Sequence, residues 1–479
     1  MTDAARYRSP LSTRYASPGM QRLWSPEHRA RLWRRLWLAL AEAQQALGAD
    51  IPDRAIEAMR AHLDDVDLEE IRRHEQRLRH DVVAHIHAFG DQAPAARPFL
   101  HLGATSAYVT DNADLIVMRD AMRLLLGRLV AVLRALRDFA LRHRDLSALA
   151  YTHFQPAQLT TVGKRAALWL QDFCLDADAL RQAADTLPFR GCKGTTGTQA
   201  TYLDLFDGSH ERVRALDGRV AEAFGFRAPI PVSGQTYTRK IDSRVLDLLA
   251  GVAQSAAKFG TDLRLLQHEG EVLEPAEQEQ VGSSAMPYKR NPVRAERVCA
   301  LARYLITLRE NTAHTAATQW LERSLDDSAN RRIVLPESFL AADAILILCT
   351  NVSAGLDVRP GVIRRHVERE MPFMASERWL LLGVQAGGDR QELHEVIRRH
   401  SRAVTTALAD GGANDLADRI AADPAFGRVP RESLRAELDP ARYIGRSAQQ
   451  VEELVETAVD PLLDALQPYA ASDDATVTV

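Results

Sequence analysis

Residues 115–139, LIVMRDAMRLLLGRLVAVLRALRDF, decide the architecture. Their apolar positions fall at Leu115, Met118, Met122, Leu125, Leu129, Val132, Leu136 and Phe139, and the gaps alternate three and four. That spacing is the seam of a long α-helix that packs its apolar stripe against other helices. Thr110, Asp111 and Asn112 stand just ahead of the seam and offer side-chain caps for the first turn.

The same period recurs on both sides. Val245, Leu249, Val252, Ala256, Phe259, Leu263 and Leu266 form a second seam, and Val162, Ala166, Trp169, Phe173, Ala177 and Leu180 a third, after Pro156. A fourth helix is expected from Asn291-Pro292, with Asn291 as N-cap and Pro292 at the first helical position, continuing through Val298, Leu301, Leu305 and Leu308. A fifth spans about 336–352. Five such segments imply a helical bundle. Apolar residues on more than one side, as in Leu124-Leu125-Leu126, suit packing against a second subunit as well, although periodicity alone does not separate that from a monomer. Shorter helices are expected before about residue 105, one carrying Trp33, Leu36, Trp37 and Leu40, and again after about 359, between turns at Gly387-Gly388 and Gly411-Gly412. Strand signals are weak, at most a minor hairpin within 217–237. The expected division is 1–105, 106–358 and 359–479, in accord with about 150 residues per domain for a chain of 479.

Composition narrows the function. Apolar residues at 46% and charged residues at 26% describe a globular protein with a large core. A net charge of −4 argues against a nucleic-acid-coating protein or a basic membrane binder, while leaving room for a small anionic ligand held by a few arginines. Cys174, Cys192, Cys299 and Cys349 stand far apart and form no CxxC pair, which points to a reduced protein with no zinc ribbon. The N-terminal residues show no apolar signal region, and the nearest approach to a membrane span, residues 339–352, is interrupted by Asp343. The expected location is the cytoplasm.

Six stretches carry candidate chemistry. Residues 282–292, GSSAMPYKRNP, form a loop between two heptad helices, with hydroxyls beside Lys289 and Arg290 and a helix N-terminus at its end, a setting that favours anions and eases hydroxyl ionisation. His153 in Thr152-His153-Phe154-Gln155-Pro156, expected at the start of a long helix, suits general acid–base work, or a structural hydrogen bond. Arg79-His80-Asp81, with His85 and His87, invites a metal reading, but its spacing does not match HExxH. Thr105-Ser106 before the longest seam suits a carboxylate, and Gln235 lies in a polar loop, SGQTYTRK. Arg14, Tyr15, Arg323, Ser328, Arg331 and Arg332 suit phosphate, or pair with neighbouring acids such as Asp326 and Asp327. The glycine-rich KGTTGTQ, 193–199, lacks the P-loop pattern and reads as a tight crossing or a loop beside the substrate.

Taken together these strings resemble the fumarase/aspartase superfamily. GSSAMPYKRNP is similar to its signature loop, and TSAYVTDN (105–112) and THFQPAQ (152–158) to its other two shared regions. TRYAS (13–17), RLRHDVVAH (77–85), KGTTGTQA (193–200), SGQTYTRK (233–240) and LDDSANRR (325–332) resemble, within it, the adenylosuccinate lyase family, nearly end to end from about residue 6 to 469. The resemblance implies a mainly α, three-part fold whose central five-helix bundle joins three others in a 20-helix tetramer core, with active sites shared between subunits. It implies β-elimination of fumarate from adenylosuccinate, giving AMP, and from the succinylated aminoimidazole carboxamide ribotide SAICAR, giving AICAR, with no metal and no organic cofactor, no nucleic-acid partner and no membrane.

By the same resemblance Ser283 is the base, assisted by Lys289, and His153 is the acid, partnered by Glu296. Thr105, Ser106, Lys289 and Asn291 hold the succinyl carboxylates, and Gln235 the amide or base of the substrate. Arg14, Tyr15, Arg323, Ser328 and Arg332 hold phosphate and ribose, while Arg79, His80, Asp81 and Arg297 are further contacts. Rival readings are another lyase of the superfamily such as argininosuccinate lyase, an HD-type phosphohydrolase built on His80-Asp81, and a non-catalytic helical scaffold.

Overall fold

The computed structural model describes residues 5–277, 285, 286 and 288–470. The N-terminal part holds α1 (Pro18–Leu23), α2 (Pro26–Ala46), α3 (Asp53–Ala61), α4 (Leu68–Leu78) and α5 (Asp81–Gln92). Next come α6 (Ser106–Arg142), the strands β1 (Ser147–Thr152) and β2 (Gln155–Thr161), α7 (Val162–Thr186), α8 (Ala200–Leu205), α9 (His210–Ala223), α10 (Lys240–His268), β3 (Val272–Leu273), α11 (Val293–Thr318), α12 (Asp327–Ala354) and β4 (Asp357–Val358). The C-terminal part holds α13 (Pro360–Gln385), α14 (Arg390–Ala409), α15 (Leu416–Ala422), α16 (Arg431–Ala436), α17 (Ser447–Leu454) and α18 (Asp460–Ala465).

The expected five long helices are α6, α7, α10, α11 and α12. Every residue of the α6 seam is buried, with Phe139 the most exposed at 5%. Each fully buried side chain of this size contributes about 2 kcal/mol relative to an exposed one. Side-chain bonds fix the helix directions. Arg239, at the start of α10, pairs with Asp111 in the second turn of α6 and with Asp327 at the start of α12. Arg128 then meets Asp343 halfway along α6 and α12, so α6, α10 and α12 run parallel. Trp169 of α7 donates to Asp262 of α10 at 2.8 Å, and Arg309 of α11 meets Asp247 of α10, so α7 and α11 run the other way. One end of the bundle therefore collects the starts of α6, α10 and α12. The opposite end collects the β1–β2 hairpin and the start of α11. With 37 residues α6 spans about 55 Å, which sets the distance between the ends.

Asp343, the charge that breaks the apolar run of α12, is fully buried and accepts from Arg128 and from the Ser17 backbone N–H at 2.6 Å. The helix is long and apolar enough to cross a membrane, but 78% of its most apolar window is buried within the fold. One hydrophobic cluster runs from Trp33 and Trp37 through the bundle seams, and a second gathers Ala375, Trp379, Leu393, Phe426 and Leu434.

Several expectations need correction. α6 begins at Ser106 with Thr105 as N-cap, four residues before the expected caps, because Asp111 and Asn112 spend their side chains on Arg239 and Gly191. Between α6 and α7 there is an antiparallel hairpin and not a helix start, so His153 sits at a strand turn. Of residues 217–237, expected to hold at most a minor hairpin, 217–223 belong to α9, and only the bridge of Phe189 with Pro229 forms nearby. α12 begins nine residues before Pro336, and α13 runs through Pro372, so tertiary packing outweighs the cost of about 3 kcal/mol for an interior proline. With 26 and 20 residues, α13 and α14 are not short.

Candidate active site

The expected site residues fall into groups at opposite ends of the bundle. At the first end, Thr105 precedes a helix whose first turn carries no acidic residue, and the Thr105 side chain makes no capping bond of its own. Arg79 ends α4 in the left-handed region at φ 55, which turns the chain sharply into His80, the N-cap of α5. Asp81 accepts from Arg332 of α12 at 2.6 Å, which ties the Arg79–Asp81 stretch to the first turns of α12, where Ser328 also lies. The HD pair is thus committed to a helix cap and an ion pair. A second metal-like group, Glu70, His74 and Asp91, is a hydrogen-bonded histidine: Arg77 donates to Nδ1 at 3.0 Å, which leaves the Nε2 proton for Asp91 at 3.0 Å.

Gln235 is held from three directions at this same end. Its backbone N–H donates to Glu322 O at 2.9 Å, its carbonyl accepts from the buried Arg190 at 2.9 Å, and its Nε2 donates to Thr195 O at 3.0 Å. Among the described residues none donates to its carboxamide oxygen. The KGTTGTQ stretch is a tight crossing: Gly197 has φ +84, and a Cβ there would lie 1.8 Å from Ser233 O. Lys193 closes the loop by pairing with Asp217, whose Oδ1 also accepts from Cys192 N at 2.5 Å. Arg323 donates to Asp327 Oδ1 at 2.7 Å.

At the other end, His153 and Phe154 form the two-residue turn between β1 and β2, with φ of 54 and 56. Two left-handed residues in sequence are the geometry of a type I′ turn, which matches the twist of the strands and lifts the exposed imidazole off the bundle. Lys289 and Glu296 are exposed and Asn291 is half-buried. No hydrogen bond or ion pair joins His153 to Glu296 among the described residues. Arg297 lies over the Tyr15 ring at 5.6 Å, which brings the Arg14–Tyr15 stretch to the first turns of α11. Gly282, Ser283 and Ser284 lie outside the described residues.

A residue from ahead of the loop occupies the start of α11. Pro292, not Asn291, is the N-cap of α11. Glu274, 3% exposed, accepts from the Arg294 N–H at 3.0 Å and the Ala295 N–H at 2.9 Å. Those N–H groups are therefore not free for a ligand, and the positive end of α11 is answered within the chain. Arg290 is likewise engaged, with Asp357 at 3.2 Å and Glu274 O at 3.1 Å. Lys289 and Arg290 are both exposed, and Arg290 is the one paired with Asp357. No sequence pattern marked Glu274, which reaches its partners across 20 residues.

Comparison with known proteins places this architecture. Residues 15–305 match the family described as Lyase, and residues 372–454 match the family described as Adenylosuccinate lyase C-terminus. The chain is 48% identical to the adenylosuccinate lyase of Saccharomyces cerevisiae over 483 residues, covering 100% of both chains. It is 45% identical to that of Schistosoma mansoni, covering 98% of each. Among solved structures, a fumarate lyase from Mesorhizobium sp. BNC1 superposes with a TM-score of 0.78 at 25% identity, over 93% of this chain and 99% of that one. A 3-carboxy-cis,cis-muconate lactonizing enzyme from Pseudomonas putida superposes with a TM-score of 0.79 at 23% identity, over 96% and 99%, a likeness of fold alone.

Proposed function

The chain belongs to the adenylosuccinate lyase family, and from that we infer that it releases fumarate from adenylosuccinate, giving AMP, and from SAICAR, giving AICAR. The observation that carries the reading is the 48% identity to an adenylosuccinate lyase over the whole of both chains.

The proposed chemistry assigns each group a proton or a charge. Ser283, as alkoxide, removes a proton from the carbon next to a succinyl carboxylate. The resulting carbanion places a second negative charge on that carboxylate, which needs donors already aimed at it. Thr105 and Ser106 at the start of α6, whose first turn holds no acidic residue, together with Lys289 and Asn291, supply them. The C–N bond then breaks, its electron pair leaves with nitrogen, and His153 delivers the proton that nitrogen takes up. Glu296 orients His153. Since Glu274 occupies the start of α11, the positive field that favours the Ser283 alkoxide is assigned to Lys289, while Arg290 beside it pairs with Asp357.

Gln235 receives the substrate's amide or base through its carboxamide oxygen. Arg14, Tyr15, Arg323, Ser328 and Arg332 receive phosphate and ribose, with Arg79, His80, Asp81 and Arg297 around them. Because these groups lie at ends of the bundle about 55 Å apart, one site draws on several subunits, and a homotetramer is the assembly we propose. Leu168 and Leu175, one heptad apart on α7 and 48% and 67% exposed, give such an assembly an apolar stripe to cover. Residues 1–105, 106–358 and 359–479 are its three parts, and the cytoplasm is the proposed location. No resident metal or organic cofactor is assigned a role.

The test is a continuous ultraviolet assay with adenylosuccinate in the presence of a chelator, with Ser283→Ala alongside. Release of fumarate and AMP by the native enzyme and its loss in the variant are expected. Silence toward adenylosuccinate and SAICAR, with turnover of argininosuccinate, would move the substrate assignment to that lyase.

A further inference from the structure

We propose that Asp327 is a positioning residue for nucleotide recognition, acting through Arg323 and registered by Arg239 against the start of α6. The inference rests on the phosphate-and-ribose assignment of Arg323 made above.

Asp327, the first residue of α12, has a side chain that is 0% exposed, and it divides its two oxygens between two guanidinium groups. Oδ2 accepts from Arg239 Nε at 2.7 Å, and Oδ1 accepts from Arg323 Nη1 at 2.7 Å. Arg239, 1% exposed, spends its other two nitrogens on Asp111, at 3.1 and 3.2 Å. Asp111 also accepts from the Tyr237 N–H at 3.0 Å, two residues beyond Gln235. A continuous buried chain, Asp111–Arg239–Asp327–Arg323, thus runs from the helix that begins at Ser106, past the Gln235 loop, to an arginine that is partly exposed.

The surroundings give Arg323 reason to depend on this chain. It rises from a segment whose neighbours Trp320, Leu321 and Leu325 are 74%, 95% and 72% exposed, with Leu321 at φ 45. A guanidinium on such a segment meets a phosphate bidentately only if its plane is fixed beforehand, and a carboxylate is the partner that fixes it. The base and phosphate of one nucleotide are a set distance apart, so a shared buried anchor for Gln235 and Arg323 registers both ends of the ligand at once.

Asp327→Asn is nearly isosteric and removes one acceptor. Arg239 is held by Asp111 and keeps the remaining oxygen, so the amide NH₂ faces Arg323 and repels it. The assembled enzyme is assayed with adenylosuccinate and with its dephosphorylated nucleoside. Asp327→Asn should raise KM for the nucleotide about tenfold or more, with a smaller change in kcat. The ratio of kcat/KM for nucleotide over nucleoside should fall to the level of Arg323→Ala, and the double variant should fall no further. Equal losses on both substrates, or multiplicative losses in the double variant, would overturn the proposal. Arg323→Lys provides an independent arm: it should lose the phosphate preference as Arg323→Ala does, and full retention would show that an oriented fork is not required. Wild-type enzyme silent on both substrates would remove the parent reading and this one together; wild-type turnover with an unmoved ratio would remove only this one.

Discussion

Two histidines, His85 buried and His101 half-buried, give the fold a pH dependence that begins with single side chains. His85 lies against the Trp33 ring at 4.6 Å, and burial, aided by Arg29, pushes its imidazole down to about 4. His101 accepts from Trp37 Nε1 at 2.9 Å, and burial, with His80 adding repulsion, pushes it down to about 4 as well. Both groups are neutral in the fold and take up protons near pH 6.5 when it opens. Their stabilisation is therefore complete above about pH 6.5 and is lost as pH falls toward 4, by about 2 kcal/mol each between pH 7.5 and 5. A thermal midpoint that falls over this range, with His85→Gln halving the fall, is the expected result; a midpoint flat from 7.5 to 5 would contradict it. His153 needs a different residue-scale test. Asparagine tolerates the left-handed backbone at φ 54 but cannot donate a proton on demand. His153→Asn should melt with the native enzyme while kcat falls by about 10²–10⁴. Glu274 marks the limit of reading at this scale. Its neighbours in sequence give no sign that it caps α11, because the contact depends on where the intervening turn returns the chain.

At the scale of elements, legibility followed period and length. The seams on α6, α7 and α10 repeat over many turns, so each helix was recoverable from its apolar residues alone, whereas the β1–β2 hairpin was not. Residues 147–161 hold only short strands, the turn is His-Phe and not the usual Asn-Gly, and several β2 side chains face solvent without alternation. The hairpin is set by its flanks. Gly163 donates to His143 O at 2.9 Å, and a Cβ added there would lie 2.3 Å from Ala140 O and 2.6 Å from Arg144 backbone. The end of α6 and the start of α7 therefore pass at a separation only glycine permits. In Gly163→Ala the backbone must shift at a junction that also aims His153. A loss of about 3 kcal/mol or more is expected, read as a large drop in thermal midpoint, with residual activity falling faster than folded protein. The alanine variant melting with wild type would mean the junction adapts freely and does not aim the hairpin.

At the scale of the whole molecule, the length of α6 decides what one chain can do. Gln235, Thr105 and Arg332 gather where α6 begins, and His153 stands beyond where it ends, about 55 Å away. A substrate the size of one nucleotide cannot touch both. The proposed members of the site are legible in local motifs, but no spacing in the sequence reveals that they sit at opposite ends, since that follows from helix direction. If sites are completed by neighbouring subunits, defects in different groups must complement. His153→Ala and Gln235→Ala chains, each nearly inactive alone, should be denatured together and refolded as mixed assemblies. With each site taking the two residues from different chains at random, about one quarter of sites regain both, and activity should rise well above either parent. Mixtures no more active than the parents, with mixed assemblies verified by mass, would mean that both residues of each site come from one chain, and the separation read from α6 would not describe the working enzyme.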